Sequence, residues 1–171
     1  GTDYEVDSEK LVIFWTAIHR IVDDSESTFQ LHLEVHSNPS TNTALSGLYQ
    51  SDTMLCTQCE AMGFRRIVYH LDRPDVLSVY SVRLEADKAL YPILLSNGNC
   101  TAEGDLPDGR HFSEWHDPFP KPSYLFAIVA GDLGFIKSTY TTTSGRTVQL
   151  GIYSDKDKAD QLDFAMYSIK E

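Results

Sequence analysis

The stretch Phe135-Ile-Lys-Ser-Thr-Tyr-Thr-Thr-Thr-Ser-Gly-Arg-Thr-Val-Gln-Leu-Gly-Ile-Tyr153 decides the fold class. Phe135 to Thr142 and Arg146 to Tyr153 are rich in β-branched and aromatic residues, and they flank Thr143-Ser144-Gly145. That pattern predicts a β-hairpin. Working outward, the same reading recurs along the chain. Tyr124 to Ala130 is its most hydrophobic run, a predicted central strand. Leu90 to Leu95 reads as a strand closed by Ser96-Asn97-Gly98-Asn99, where Asn-Gly suits a turn with positive φ. Val76 to Leu84 reads as a strand with both faces covered, and Phe29 to Val35 alternates with Phe29, Leu31, Leu33 and Val35 on one face. Shorter strands are predicted at Leu11 to Trp15, which should be buried, at Leu45 to Tyr49 and at His111 to His116, with a weaker one at Ile18 to Val22 ended by the acidic, serine-rich Asp23 to Ser27. Turns or loops are expected at Asn38-Pro39-Ser40, Ser51-Asp52, Asp72-Arg73-Pro74, Glu103 to Arg110 and the proline-rich corner Asp117 to Pro122. Glu60 to Arg66 could make one helical turn. Only the end changes period: Ala159, Leu162, Met166 and Ile169 recur at helical spacing after the possible caps Ser154 and Asp155. The predicted class is all-β with one C-terminal helix.

The chain has 171 residues, long enough for one domain with a real core. Its 42% hydrophobic and 23% charged residues are ordinary for a globular protein. A formal net charge of −11, with only 14 Lys and Arg, argues against nucleic acid as a partner. No apolar run approaches bilayer length, and the first residues lack a basic and then apolar leader pattern, so no membrane partner is expected. Three cysteines make a disulfide framework a poor reading and a reducing, cytoplasmic compartment the expected one.

Several constellations compete with bland readings. Cys56-Thr57-Gln58-Cys59 has redox or zinc-ribbon spacing. A structural zinc site needs four ligands, a second such pair is lacking, and Cys100 is the only other thiol, so two small side chains in a packed loop are preferred. His32, Glu34 and His36 would share one strand face and could hold a divalent ion, but a solvated strand face looks the same. No catalytic motif is visible: the chain lacks His-Glu-x-x-His, Gly-x-Ser-x-Gly and a glycine-rich phosphate loop.

Thr53 to Asp75 is dense in residues that a plain strand-and-turn scaffold does not need. Asn42-Thr43-Ala44-Leu45-Ser46-Gly47-Leu48-Tyr49, Cys56-Thr57-Gln58-Cys59-Glu60, Phe64-Arg65-Arg66-Ile67 and Leu71-Asp72-Arg73-Pro74-Asp75 resemble the amino-terminal β-domain of bacterial aminopeptidase N, a zinc alanyl aminopeptidase family. Tyr91 to Asn99, Asp117 to Pro122, Tyr124 to Asp132 and Thr143-Ser144-Gly145-Arg146 extend the resemblance, from about Asn38 to the end. The first thirty or so residues match poorly.

The resemblance implies a sandwich-like or saddle-shaped domain of mostly antiparallel strands over residues 1–171. A catalytic zinc domain, absent here, would begin near or after residues 155–171. It implies that Glu60 pairs with the free α-ammonium of a peptide substrate and that Gln58 lines the same subsite. The domain would cap the active site of an enzyme that removes amino-terminal residues, Ala and others, from peptides. Its partners would be the peptide amino terminus and its own catalytic domain. Zinc would belong to the full-length enzyme, with no catalytic or metal-ligating residue in this fragment, which alone would be inactive. The competing reading is a stand-alone β-sandwich binding module without enzymatic activity. A third is thiol redox function at Cys56 and Cys59, which requires a low thiol pKa.

Overall fold

A computed structural model describes residues 3–7, 9–21 and 28–171. The chain begins with a short antiparallel pair, β1 (Tyr4–Val6) and β2 (Leu11–Ile13), followed by α1 (Trp15–Ile21). Two expectations change here. The run Leu11 to Trp15 is no buried strand: β2 is only half-buried, and Trp15 opens a helix with 68% of its surface exposed. The weak strand placed at Ile18 to Val22 is helix as far as Ile21. Its residues bury at helical spacing, Phe14, Ala17 and Ile18 inward against Trp15, Thr16 and His19 outward, and that period wins over a short apolar run. Val22 and the acidic stretch Asp23 to Ser27 lie outside the described residues.

The strand expected at Phe29 to Val35 is not formed: the segment has no regular secondary structure, no strand among the described residues pairs with it, and Phe29, Leu31 and Val35 are exposed. The alternation in the sequence has no counterpart in burial, since Leu33 alone of residues 29–35 is half-buried. Asn38-Pro39-Ser40 does turn: a 3-10 turn spans Pro39–Thr41, capped by the Asn38 side chain, which accepts from Ser40 N.

Two larger sheets follow. β3 (Gly47–Ser51), β4 (Met54–Gln58), β6 (Ile93–Ser96) and β9 (Ile128–Gly131) form a four-stranded sheet in the order β3-β4-β9-β6. The Tyr124 to Ala130 run supplies an interior strand only from Ile128 onward, since Tyr124 and Leu125 lie in a 3-10 turn. The reading of the sequence placed no strand at Met54–Gln58. The second sheet holds β5 (Leu77–Asp87), β7 (Asn99–Asp105) and β8 (Arg110–Pro122), with β8 in the middle. Every paired strand is antiparallel. Phe64, Cys59 and Phe126 form a buried cluster that also takes in Tyr80 and Val82 of β5 and Ile128 of β9, so the two sheets meet across this core.

Three expectations are corrected in the second sheet. β5 is covered on one face only, because Leu77 and Val79 point to solvent while Tyr80, Val82 and Leu84 turn inward. Much of Glu103 to Arg110 is not loop: β7 runs to Asp105, and Gly104 sits opposite Phe112, where an added Cβ would come within 3.0 Å of that ring. The glycine that suggested a loop instead makes room for a cross-strand aromatic. The proline-rich corner is the far end of β8, its register shifting between Ser78 and Tyr80 of β5. Pro118 and Pro120 fall within this bulge, where no N–H is required, and the Lys121–Asp117 ion pair spans it.

The opening hairpin stands as predicted, with β10 (Leu133–Thr141) paired to β11 (Thr147–Asp155) through Tyr140↔Val148 and Phe135↔Tyr153. A 3-10 segment, Lys156–Gln161, then leads into α2 (Asp163–Lys170), though neither Ser154 nor Asp155 caps it through a side chain. Among the described residues no helix is long and apolar enough to cross a membrane.

Candidate substrate-anchoring turn

Gln58 and Glu60 lie at the exit of β4, where the chain leaves the four-stranded sheet. Gln58 is the last residue of the strand, paired with Gly47, and its side chain is exposed. Cys59 points the other way and is 3% exposed, packed with Phe64 and Phe126. Alternation then returns Glu60 to the surface. Among the described residues no donor meets its carboxylate. Gln58 Nε2 reaches back to the Glu60 carbonyl at 3.5 Å, and the Glu60–Ala61 peptide is cis. The arrangement presents a free carboxylate and a neighbouring amide on one small outward surface.

The turn that follows closes tightly. Gly63 N donates to the Cys59 carbonyl at 2.8 Å, and a 3-10 turn spans Phe64–Arg66. This is the single helical turn expected for Glu60 to Arg66, confined to its second half. Gly63 is required by close approach: a Cβ there would lie 2.3 Å from the Gln58 carbonyl oxygen. Before the turn, Thr57 Oγ1 accepts from Ile128 N at 2.9 Å, bonding β4 to β9.

Asp72 is the residue that the sequence reading did not single out. Its side chain is 3% exposed. Oδ2 accepts from Arg65 N at 3.1 Å and Arg65 Nε at 3.0 Å, the Asp72 carbonyl accepts from Arg65 Nη2 at 2.8 Å, and Oδ1 accepts from Ser123 Oγ. Burial alone would push the Asp72 pKa up, but the hydrogen bonds from Ser123 and Arg65 outweigh it and hold the carboxyl below its ordinary range. Nothing in the reading of the sequence pointed to such a clamp, although Arg65 and Asp72 both fall in the stretch Thr53 to Asp75. Ser123 left no signal, being remote in the chain.

The other candidates separate from this turn. Cys59 faces the core, and burial first, with the nearby Asp72 charge second, pushes its thiol up to about 11. That is the reverse of what redox chemistry needs. Cys56, Cys59 and Cys100 are all free thiols. His36 Nε2 meets Glu34 Oε1 at 3.0 Å on an open surface, which is the solvated-face reading of His32, Glu34 and His36. Among the described residues no three His, Cys, Asp or Glu side chains converge as metal ligands.

The antiparallel two-sheet fold agrees with the class that the chain's relatives define, the amino-terminal domain of M1 peptidases. Residues 4–125 match the Peptidase M1 N-terminal domain, and the chain belongs to that family. It is 49% identical over 170 residues to aminopeptidase N of Haemophilus influenzae, a match that covers 99% of this chain and 19% of that protein. With aminopeptidase N of Escherichia coli K12 it shares 52% identity over 150 residues, 88% of this chain and 17% of the other. The chain therefore spans less than a fifth of the curated relatives it matches. Among solved structures, Legionella pneumophila aminopeptidase A in complex with aspartic acid superposes with a TM-score of 0.72 at 41% identity, over 75% of this chain and 15% of that one. A Deinococcus radiodurans M1 zinc metallopeptidase shares the fold alone, with a TM-score of 0.55 at 16% identity over 64% of this chain and 25% of the other.

Proposed function

We propose that this chain is the amino-terminal domain of a zinc aminopeptidase, and that Glu60, with Gln58 beside it, receives the free α-ammonium of a peptide substrate. The observation that carries the reading is the exposed Glu60 carboxylate, unmatched by any donor among the described residues, on a turn whose backbone is closed by Gly63. A carboxylate so placed can offer charge-assisted hydrogen bonds to an ammonium, and the Gln58 side-chain oxygen can add a neutral one. A fixed anion also sets how far a peptide enters, so that the first peptide bond is the one presented for cleavage. The excess of acidic residues favours approach of a cationic terminus.

In this reading the domain caps an active site whose zinc, bound elsewhere in the full-length enzyme, supplies water activation. On the same reading this chain's part is to bind and orient the substrate, and the fragment alone would not be catalytic. The catalytic domain would begin near or after residues 155–171. The test is Glu60→Ala in the full-length enzyme. Hydrogen bonds to charged groups contribute about 1.5–3 kcal/mol, so kcat/KM for free-amine substrates should fall about ten- to a hundredfold. An unchanged kcat/KM would remove Glu60 from the site.

A further inference from the structure

An exposed carboxylate can anchor a ligand only if its backbone is held, because a misplacement of about 1 Å costs about a hundredfold in rate. Glu60 has no side-chain support of its own among the described residues. Its position is therefore inherited from the two ends of its turn. The entering end is fastened to β9 where Ile128 N donates to Thr57 Oγ1. The leaving end is fastened where Arg65 donates to Asp72 through its backbone N and its guanidinium. Asp72 in turn accepts from Ser123, which is 1% exposed and opens the 3-10 turn Ser123–Leu125 that leads through Phe126 into β9. The segment that runs from Ser123 into β9 thus grips the turn at both ends, directly at Thr57 through Ile128 N and at Arg65 through Ser123 and Asp72.

We infer that Asp72 is a positioning residue for the amine-binding carboxylate, joining the Glu60 turn to the β9 side of the domain through Arg65 and Ser123. The inference rests on the reading of Glu60 as the amine anchor. Asp72 is buried and touches no substrate; it acts through the geometry of the turn. Its two carboxylate oxygens are divided between the two elements, Oδ2 to Arg65 and Oδ1 to Ser123. Asparagine at this place loses the charge, and one of its two terminal atoms can no longer accept. Arg65 then keeps only a neutral acceptor, or the Ser123 hydroxyl loses its acceptor, and the hold on the leaving end of the turn weakens.

The test is a double-mutant cycle in the full-length enzyme, with kcat/KM for a free-amine substrate as the readout. Asp72→Asn alone should lower kcat/KM about tenfold. In a Glu60→Gln background the same change should cost less than about twofold, because the group it positions is already lost. A merely structural role predicts equal losses in both backgrounds, and that result would overturn the inference. So would an Asp72→Asn enzyme that keeps its full kcat/KM. A silent Glu60→Gln is a separate result: it brings down the anchor reading and this inference with it. Should Asp72→Asn fail to fold, Ser123→Ala decides. It removes one hydrogen bond and should cost about threefold alone and nothing further in the Glu60→Gln background; equal losses in both would again overturn the proposal.

Discussion

Residues 29–35 and residues 58–72 are both surface segments, yet they are held in opposite ways. The first has the better sequence pattern, four apolar residues in strict alternation. Three of them end up exposed, and no strand among the described residues pairs with the segment. The second has no regular pattern. It is nonetheless secured by a buried thiol, a buried ring, a glycine of close approach and a buried carboxylate whose oxygens are satisfied from two sides. Alternation says which face would be buried if a sheet formed. A buried polar group must find its partners or cost free energy, so a satisfied one dictates where its neighbours sit.

The largest expected effect breaks the comparison if it fails. Phe64 lies 5.0 Å, centroid to centroid, from Phe126 and from His70, and 6.0 Å from Tyr80. Phe64→Ala should therefore cost about 3–5 kcal/mol, the range for an aromatic truncated in a core. Phe29 is as large a residue in the better-patterned stretch, but it is half-exposed. Phe29→Ala should cost less than about 1 kcal/mol. Urea unfolding of the two variants measures both. Similar losses would mean that residues 29–35 are packed as firmly as the turn.

The hairpin Phe135 to Tyr153, the positive-φ turn at Gly98 and the terminal helix were legible because each depends on residues close in sequence. Strand β7 was not, because Gly104 reads as a loop residue until Phe112 is known to lie opposite. The helix at Trp15–Ile21 was hidden by a run of apolar residues too short to show its period clearly. For the candidate site, Gln58 and Glu60 came from family resemblance alone; an exposed glutamate leaves no mark in a pattern of hydrophobicity. The Asp72–Ser123 bond, which joins residues 51 positions apart, is a product of the fold and of nothing local.

A pH series on Asp72→Asn sharpens the comparison at intermediate size. The Asp72 pKa in the folded chain is held below its ordinary value, the bonds from Ser123 and Arg65 outweighing burial. A depressed carboxyl contributes stability that is fully present above the unfolded pKa, about 3.9, and is lost as pH falls through the folded value. Asp72→Asn should therefore be less stable than the natural chain near neutrality, by about 2 kcal/mol for a charged hydrogen-bond network. That gap should begin to narrow as pH drops below about 4, where Asp72 of the unfolded chain takes up a proton that the folded chain still resists, and should close as pH falls through the folded value. A gap that stays constant down to acid pH would show that shape, and not the charge of Asp72, holds the clamp.

The smallest effect comes from the adjacent residue. Arg73 donates to Asp75 from Nε at 3.0 Å and from Nη2 at 2.5 Å, a two-pronged pair at least as regular as that between Arg65 and Asp72. The pair raises the Arg73 pKa and lowers that of Asp75. Both side chains, however, are more than half exposed, at 67% and 61%. In water such a pair exchanges solvent contacts for protein contacts of similar worth and is screened by salt. Arg73→Ala should leave the urea midpoint unchanged, although it sits beside the carboxylate that clamps the turn. If instead Arg73→Ala weakened the fold as much as Asp72→Asn does, burial would not be what separates the two bonds, and the contrast between the fastened turn and the loose segment would need a different cause.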